Sequence, residues 1–172
     1  VYGVNARSGE LAWRLRVDDH PNATITGTPT PYKGDLFVPV SSLEVSLAAN
    51  PKYECCTFRG SVVALDGQTG EVQWKTYTIP DEPKVSGKNP IGTNIIGPSG
   101  AVVWNSPSID AQSNQLFVGT GENMSAPASL TSDAMIAMDL TTGKINWVFQ
   151  ATEHDVWNAA CDTDFPENCP VE

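Results

Sequence analysis

The hydrophobic positions of this chain fall in short runs separated by turns that are rich in Gly, Pro, Asn and Asp. Runs such as DLFVPVSS (residues 35–42) and NQLFVGTG (residues 114–121) are typical of strands. No segment shows the sustained period of about 3.6 residues that marks a long helix. The pattern therefore predicts an all-β protein.

One motif occurs three times, with Asp or Asn followed by Gly four residues later and by Trp four residues after the Gly. The copies are VNARSGELAW (4–13), ALDGQTGEVQW (64–74) and AMDLTTGKINW (137–147). The acid or amide can bond backbone N–H groups in a tight turn, and the glycine can adopt a positive φ. Strand-like runs flank each turn, so each copy is predicted to be a β-hairpin.

Two further strand candidates precede both the second and the third hairpin, which gives each complete unit four short strands. Four-stranded units that repeat every 40–50 residues or so are the sign of a β-propeller. The surplus length falls in two long connections, at residues 43–58 and 78–100. We therefore expect a β-propeller of four-stranded antiparallel blades.

The predicted blades are fewer than a ring requires. We assign a closing hairpin to residues 1–17, blades to about 24–77 and 101–150, and the start of a further blade to 151–172. Two and a half to three blades cannot close a propeller of about four to eight, and they would leave sheet edges exposed. We expect the remaining blades to belong to a longer chain, with self-association of copies as the alternative.

Charge and hydropathy limit the partners. The formal net charge is −10, so a nucleic-acid partner is not expected. No apolar run approaches the ~20 residues of a membrane span. The first residues have neither the charged nor the apolar region of a signal peptide.

The four cysteines are informative because none has the CxxC spacing of a metal site and only two histidines are present, which makes zinc improbable. The even count suggests the disulfides Cys55–Cys56 and Cys161–Cys169. Disulfides indicate an oxidising compartment, which predicts a periplasmic or secreted protein. Four free, buried thiols are the alternative.

At its hairpins the chain resembles the pyrroloquinoline quinone (PQQ) dehydrogenases. These enzymes carry a tryptophan-docking motif, which the segments ALDGQTGEVQW and AMDLTTGKINW match. The strings YECCTFRGSVVALD, QWKTYTIP, GAVVWNSPSID and FVGTGENMS are most similar to the polyvinyl alcohol dehydrogenase branch. The resemblance covers essentially all 172 residues. It implies an eight-bladed propeller that binds PQQ and Ca²⁺, oxidises an alcohol substrate and passes electrons to a cytochrome c-type acceptor. Non-catalytic propellers also carry the docking motif, so a binding scaffold is the alternative.

The resemblance also implies cofactor-binding residues. A Cys55–Cys56 disulfide would lie against one face of the flat quinone and Trp104 against the other, while Arg59 would bond a PQQ carboxylate. Each has a structural alternative: the disulfide could only stiffen its loop, Arg59 could form a surface salt bridge, and Trp104 could pack between blades.

Calcium ligands are expected directly after two strands. Glu44 follows the strand at 35–42, where the family has a Ca²⁺-binding glutamate. Glu122 follows the strand at 114–121 at the second calcium position, and Asn123 is adjacent. Carboxylate and amide oxygens suit a hard cation. Either acid alone could instead be a solvated loop residue.

The catalytic base is the point at which the chain departs from the family. Members with a known mechanism place an Asp after the Trp of a stretch like HDVWN, where this chain has Asn158. An amide cannot accept the alcohol proton, so Asp155 or Asp162 is expected to serve.

Overall fold

The computed structural model describes residues 1–170. Within that range the chain forms strands, one short helix and two 3-10 turns. The strands are β1 Tyr2–Val4, β2 Leu11–Arg14, β3 Ala23–Thr24, β4 Thr30–Tyr32, β5 Asp35–Ser42, β6 Ser61–Asp66, β7 Val72–Tyr77, β8 Lys84–Lys88, β9 Asn94–Gly97, β10 Ser99–Gly100, β11 Ser108–Asp110, β12 Gln115–Gly119, β13 Asn123–Ser125, β14 Ala134–Asp139 and β15 Ile145–Gln150. Helix α1 is Glu44–Leu47, and the 3-10 turns are Ala159–Asp162 and Pro166–Asn168.

Two antiparallel sheets form the body of the molecule. β4, β5, β6 and β7 pair in that order, and β3 pairs with the far end of β5. β11, β12, β14 and β15 repeat the arrangement, and β1 and β2 form a separate hairpin ahead of them. The prediction of four-stranded antiparallel propeller blades is confirmed.

The three repeated turns share one geometry. Asp66 Oδ1 accepts hydrogen bonds from the backbone N–H groups of Gln68 and Thr69, both at 2.8 Å. Asn5 and Asp139 make the corresponding pair of bonds. The turn glycines Gly9, Gly70 and Gly143 have φ of 73°, 76° and 70°. The predicted β-hairpins are therefore present, with the expected turn chemistry.

Each of the first two repeat tryptophans contacts the hairpin of the following unit. Trp13 Nε1 donates to the Gly67 carbonyl oxygen at 3.2 Å, and Trp74 Nε1 donates to that of Leu140 at 3.1 Å. A Cβ added to Gly70 would lie 2.6 Å from Trp13 Cδ2, and one added to Gly143 would lie 2.5 Å from Trp74 Cε3. The turn glycines are thus also the surfaces on which indole rings pack.

Successive residues of a strand face opposite sides, so β5 and β6 contribute to two cores. Phe37, Val62 and Ala64 pack against the second sheet, in a cluster with Leu116, Val118, Ile136 and Met138. Val38, Val40, Val63 and Leu65 face the first hairpin, in a cluster that also holds Cys55, Cys56, Phe58 and Met124. The second cluster therefore reaches the predicted site.

Apolar side chains remain exposed on the first hairpin and on the second blade. Tyr2 and Leu11 lie on the hairpin, and Met135, Trp147 and Phe149 lie on the blade. Surfaces of this kind would suit contact with further blades or copies. Both alternatives stay predictions.

Residues 151–170 hold the two 3-10 turns and no strand. The prediction that a further blade starts in residues 151–172 is not tested by them, and residues 171–172 lie outside the described range. In the described part of the chain, no helix is long and apolar enough to cross a membrane.

Replacing Gly143 with Ala should destabilise the protein more than replacing Gly9 with Ala. Both changes place a side chain at a positive φ, but only at Gly143 would the new Cβ displace an indole ring, whereas Gly9 has open space around it. Forcing atoms into a packed contact costs about 1–3 kcal/mol. Urea unfolding of both variants measures the difference. Equal losses in the free energy of unfolding would contradict the inference that the indole ring packs on Gly143.

Candidate functional site

The loops at one end of the blades converge, and they carry every residue predicted for the site. They connect β5 to β6, β7 to β11 and β12 to β14, and the segment after β15 joins them. In an antiparallel blade these connections lie at the same end. Isolated parallel bridges link the loops: Cys55 to Ile95, Arg59 to Gly100, and Asn123 to Val156.

The adjacent cysteines form a disulfide, as do Cys161 and Cys169, so both predicted pairs are confirmed. Cys55 is 3% exposed and Cys56 is fully buried. Cys56 N donates to the Ile96 carbonyl oxygen at 2.8 Å, and Ile96 N donates to that of Cys55 at 2.7 Å. The loop that carries the pair is therefore tied to β9.

A cavity of about 560 Å³ lies beside Cys55, and we call it the disulfide cavity. β8 and the β8–β9 turn form one wall, and residues 166–170 form another. Its ionisable side chains are those of Lys88 and Glu167. Glu167 Oε2 is buried and has no hydrogen-bond partner among residues 1–170. The volume is within the range of small-molecule sites.

Arg59 lines a different cavity of about 550 Å³, together with Asp18, His20, Lys75 and Tyr77. Its guanidinium donates from Nη1 to the carbonyl oxygens of Ile79 and Pro80, at 3.3 and 3.0 Å. Its Cζ lies 4.0 Å from the centroid of the Tyr77 ring. The structure therefore does not bring Arg59 and Cys55 into one cavity.

Trp104 is 61% exposed, unlike the docked Trp13 and Trp74. Its carbonyl oxygen accepts a hydrogen bond from Thr26 Oγ1 at 3.2 Å, which joins the segments leading into β4 and β11. Its indole lies above Gly121, where an added Cβ would be 3.7 Å from Nε1. The ring is open to a ligand, and its predicted contact with a quinone stays a prediction.

Glu44 is fully buried at the start of α1. Oε1 accepts hydrogen bonds from Tyr53 Oη at 3.0 Å and from Thr57 Oγ1 at 3.2 Å. Thr57 N donates to both carboxylate oxygens, and Phe58 N donates to Oε2 at 2.7 Å. Burial and the Glu44 charge raise the pKa of Tyr53 to about 12, so its hydroxyl remains a donor.

Asn123 is also buried, in β13. Its Nδ2 donates to the Ser99 carbonyl oxygen at 3.0 Å, and its Oδ1 accepts from Ser129 N at 2.8 Å and from Ser129 Oγ at 3.0 Å. Glu122 is only partly buried. Two of the three predicted cation ligands therefore already have protein partners.

Asp133, which the sequence reasoning missed, lies close to the predicted site residues Glu122 and Asp155. Asp133 Oδ2 is buried and has no hydrogen-bond partner in the described part of the chain. Burial, and then the negative charges of Asp155 and Glu122, raise the pKa of Asp133 to about 6. Asp133 and Glu122 lie in the β12–β14 connection and Asp155 follows β15, so carboxylates from two segments come close enough for Asp133 to feel the charge of both others. No group of three His, Cys, Asp or Glu side chains within residues 1–170 is arranged to hold a metal ion.

Asn158, at the expected position of the base, has a structural role. It is fully buried, and its Nδ2 donates to the carbonyl oxygens of Met124 and Asn168, both at 2.9 Å. Its Oδ1 caps the first 3-10 turn by accepting from Ala160 N at 2.9 Å. Asp155 is partly buried, and Asp162 is exposed. Both stay predicted bases.

Sequence reasoning did not identify Tyr53, Thr57 and Asn168, although each holds the disulfide loop. Asn168 Nδ2 donates to the carbonyl oxygens of Ala48, Asn50 and Tyr53, at 3.2, 3.0 and 3.0 Å. These bonds join segments more than 110 residues apart, so no local pattern could signal them.

A family model described as "PQQ: Glucose/ethanol/alcohol dehydrogenase, beta-propeller domain" matches residues 9–168. The chain therefore belongs to this family, which is the one that its hairpin motifs resemble.

Individual relatives fit the same family. A polyvinylalcohol dehydrogenase of Pseudomonas sp is 39% identical over 167 residues, covering 97% of this chain and 26% of that protein. The polyvinylalcohol dehydrogenase of Sphingopyxis sp. (strain 113P3) is 36% identical over 169 residues, again covering 97% and 26%. The chain spans about a quarter of the length of these relatives.

Among solved structures, the quinohemoprotein alcohol dehydrogenase from Comamonas testosteroni has a TM-score of 0.65 at 23% identity. The match covers 91% of this chain and 25% of that one. At this identity the likeness shows the fold, and it agrees with the propeller blades described above.

The matched family is named for PQQ, and the resemblance of the hairpin motifs implies Ca²⁺ beside it. The disulfide cavity is large enough for a flat quinone and has the basic Lys88 in its wall, so these residues fit PQQ. Two members of the predicted calcium set, Glu44 and Asn123, do not fit a cation, because their side-chain oxygens already accept hydrogen bonds from backbone N–H groups.

Replacing Asp133 with Asn should make the protein more stable at pH 7 and leave its stability unchanged near pH 4. The folded state keeps the Asp133 proton up to about pH 6 whereas the unfolded chain loses it near 3.8, so the free energy of unfolding of the wild type falls between these values. Because Asp133 is only partly buried, we expect a gain of about 1 kcal/mol. Asn tolerates the positive φ of 46° at this position.

Urea unfolding at several pH values measures this effect. Asp164→Asn, which removes an exposed carboxylate, controls for the change in net charge. An Asp133→Asn variant that is less stable than the wild type at pH 7 would contradict the inference that burial and neighbouring negative charges make ionised Asp133 unfavourable in the folded protein.

Proposed function

We propose that this chain forms a sector of the cofactor site of a PQQ-dependent alcohol dehydrogenase. The observation that supports this most strongly is the Cys55–Cys56 disulfide, which lines a ligand-sized cavity in a chain of the PQQ dehydrogenase propeller family. Cys55 would provide a flat, polarisable wall against the quinone, and Trp104 would provide a second aromatic surface.

The basic residues would orient the carboxylates of the cofactor. Lys88 lines the disulfide cavity, whereas Arg59 could reach a carboxylate only from the second cavity. Lys88 is therefore our first choice for this contact, and Arg59 stays the prediction from the resemblance. When bound, PQQ would supply the oxidant that accepts hydride from the alcohol carbon.

A carboxylate on the protein would take the hydroxyl proton of the alcohol. We favour Asp155 over Asp162 for this role, because Asp155 is partly buried and its backbone is bonded to Asn123 at the converging loops, whereas Asp162 is exposed. Asn158 is excluded by its chemistry and by its buried bonds. The substrate would be polyvinyl alcohol or another secondary alcohol, as the names of the similar polyvinylalcohol dehydrogenases suggest.

The proposal extends to partner, metal and compartment. A cytochrome c-type acceptor is in keeping with the similar quinohemoprotein dehydrogenases. Two disulfides in one chain support a periplasmic or secreted location. A calcium ion would need ligands other than Glu44 and Asn123, and we assign it no role in the proton transfer.

A non-catalytic propeller scaffold is the second candidate. The commitment of Asn158, Glu44 and Asn123 to buried hydrogen bonds favours it. In that case the disulfide would only stiffen its loop, and no quinone would bind.

PQQ titration of the purified chain separates these two functions. We expect binding in the micromolar range, followed by quinone absorbance and by quenching of tryptophan fluorescence. A Cys55→Ser, Cys56→Ser double variant should bind about tenfold more weakly through loss of the wall, and Trp104→Phe should weaken binding similarly through loss of stacking area. Trp147→Phe, an exposed tryptophan on β15, is the matched control and should bind normally.

The same titration locates the cofactor. Lys88→Gln should weaken binding if PQQ occupies the disulfide cavity, and Arg59→Gln should not. The reverse result would place the quinone in the second cavity. Absence of binding by the folded wild-type chain would reject the cofactor proposal and favour the scaffold.

A further inference from the structure

The Glu44 carboxylate is enclosed by the loop that carries the Cys55–Cys56 disulfide. Its hydrogen-bond donors belong to Tyr53, Thr57 and Phe58, which lie just before and just after the two cysteines. Glu44 itself is at the start of α1, at the beginning of the same β5–β6 connection. One anion therefore connects both ends of the segment that holds the disulfide.

A buried carboxylate is costly unless its lone pairs are satisfied. Four groups donate hydrogen bonds to the Glu44 carboxylate, and both of its oxygens accept them. His20 Nε2 lies 3.7 Å from Oε1 and completes the surroundings. The side chain has no exposed surface from which to contact an ion.

Coordination of a cation by Glu44 would break these bonds. Phe58 is 1% exposed, so its backbone N–H would lose its partner inside the protein. An unsatisfied buried donor is among the more expensive defects in a fold. The cost of releasing Glu44 therefore opposes its use as a metal ligand.

The other side of the same loop is held by amides. Asn168 binds three carbonyl oxygens between Ala48 and Tyr53, and Asn89 Nδ2 donates to Asn168 Oδ1 at 2.9 Å. Asn158 Nδ2 lies 4.0 Å from Cys55 Sγ. The disulfide is thus held between the Glu44 carboxylate and a buried asparagine network.

We propose that Glu44 is a positioning residue that fixes the Cys55–Cys56 loop, and that it does not bind a cation. The inference concerns the loop itself, and it holds whether or not the disulfide cavity takes a quinone. It replaces the calcium role that the resemblance implies for this residue.

The test measures how fast each disulfide is reduced by a water-soluble phosphine. Rates are read by alkylation of the released thiols and peptide mass spectrometry. In Glu44→Gln, the amide nitrogen would face donors of the loop, which should open it and speed reduction of Cys55–Cys56 about tenfold. Cys161–Cys169 in the same molecule is the internal reference. Because Asn168 beside it bonds the same loop, its rate should rise much less than that of Cys55–Cys56.

Glu54→Gln is the matched control. Glu54 is an exposed carboxylate in the same loop, and its Oε1 accepts a bond from Asn94 Nδ2 at 2.8 Å. Its neutralisation changes the net charge equally but leaves the Glu44 contacts intact. We expect the wild-type reduction rate for both disulfides in this variant.

Calcium titration by calorimetry provides the second measurement. Any heat of Ca²⁺ binding should be the same for the wild type and Glu44→Gln. Calcium binding that requires Glu44 would overturn the proposal, and so would an unchanged Cys55–Cys56 reduction rate in Glu44→Gln.

Tyr53→Phe keeps the inference testable if Glu44→Gln does not fold. It removes one hydrogen bond to the carboxylate and little volume, so Cys55–Cys56 should be reduced a few-fold faster, with a smaller change at the reference disulfide. A wild-type rate in Tyr53→Phe, together with an unfolded Glu44→Gln, would contradict the local positioning role.

Discussion

The contact on which the rest of this structure depends is an indole ring packed on a glycine of the neighbouring hairpin. Trp13 on Gly70 and Trp74 on Gly143 bring successive units together, and each ring also donates a hydrogen bond to a carbonyl oxygen of the same turn. The glycine has two functions, because the turn needs its positive φ and the ring needs the space left by its missing side chain. The spacing between blades is thereby set by a contact that admits no additional carbon.

Blades held in this way bring their long connections together at one end. There the loops are joined by isolated bridges and by buried polar side chains, rather than by a continuous sheet. Buried polar groups of this kind are stable only when all their hydrogen bonds are made. The side chains of residues such as Glu44 and Asn158 are used to make these bonds and therefore have a structural role. The same commitment leaves the disulfide wall, Trp104 and the half-buried acids as the groups with freedom to meet a ligand.

Much of the architecture could be predicted because it is local. Asn or Asp, Gly and Trp at fixed spacing specify a hairpin turn, and the even cysteine count suggested both disulfides. The strands β8 and β9 were not predicted, since they lie in a connection whose sequence lacks the hairpin motif. The partners of Glu44 could not be predicted either, because two of them are backbone N–H groups, which every non-proline residue possesses. The direction of Arg59 likewise depends on carbonyl oxygens twenty residues away, at Ile79 and Pro80.

We infer that the disulfide wall and its cavity form part of a quinone site. A structure of the chain determined in the presence of PQQ tests this most directly. We expect ordered quinone density in the disulfide cavity, in contact with Cys55 and within reach of Lys88. Quinone density against Arg59 and Tyr77 in the second cavity, with the disulfide cavity empty, would contradict it.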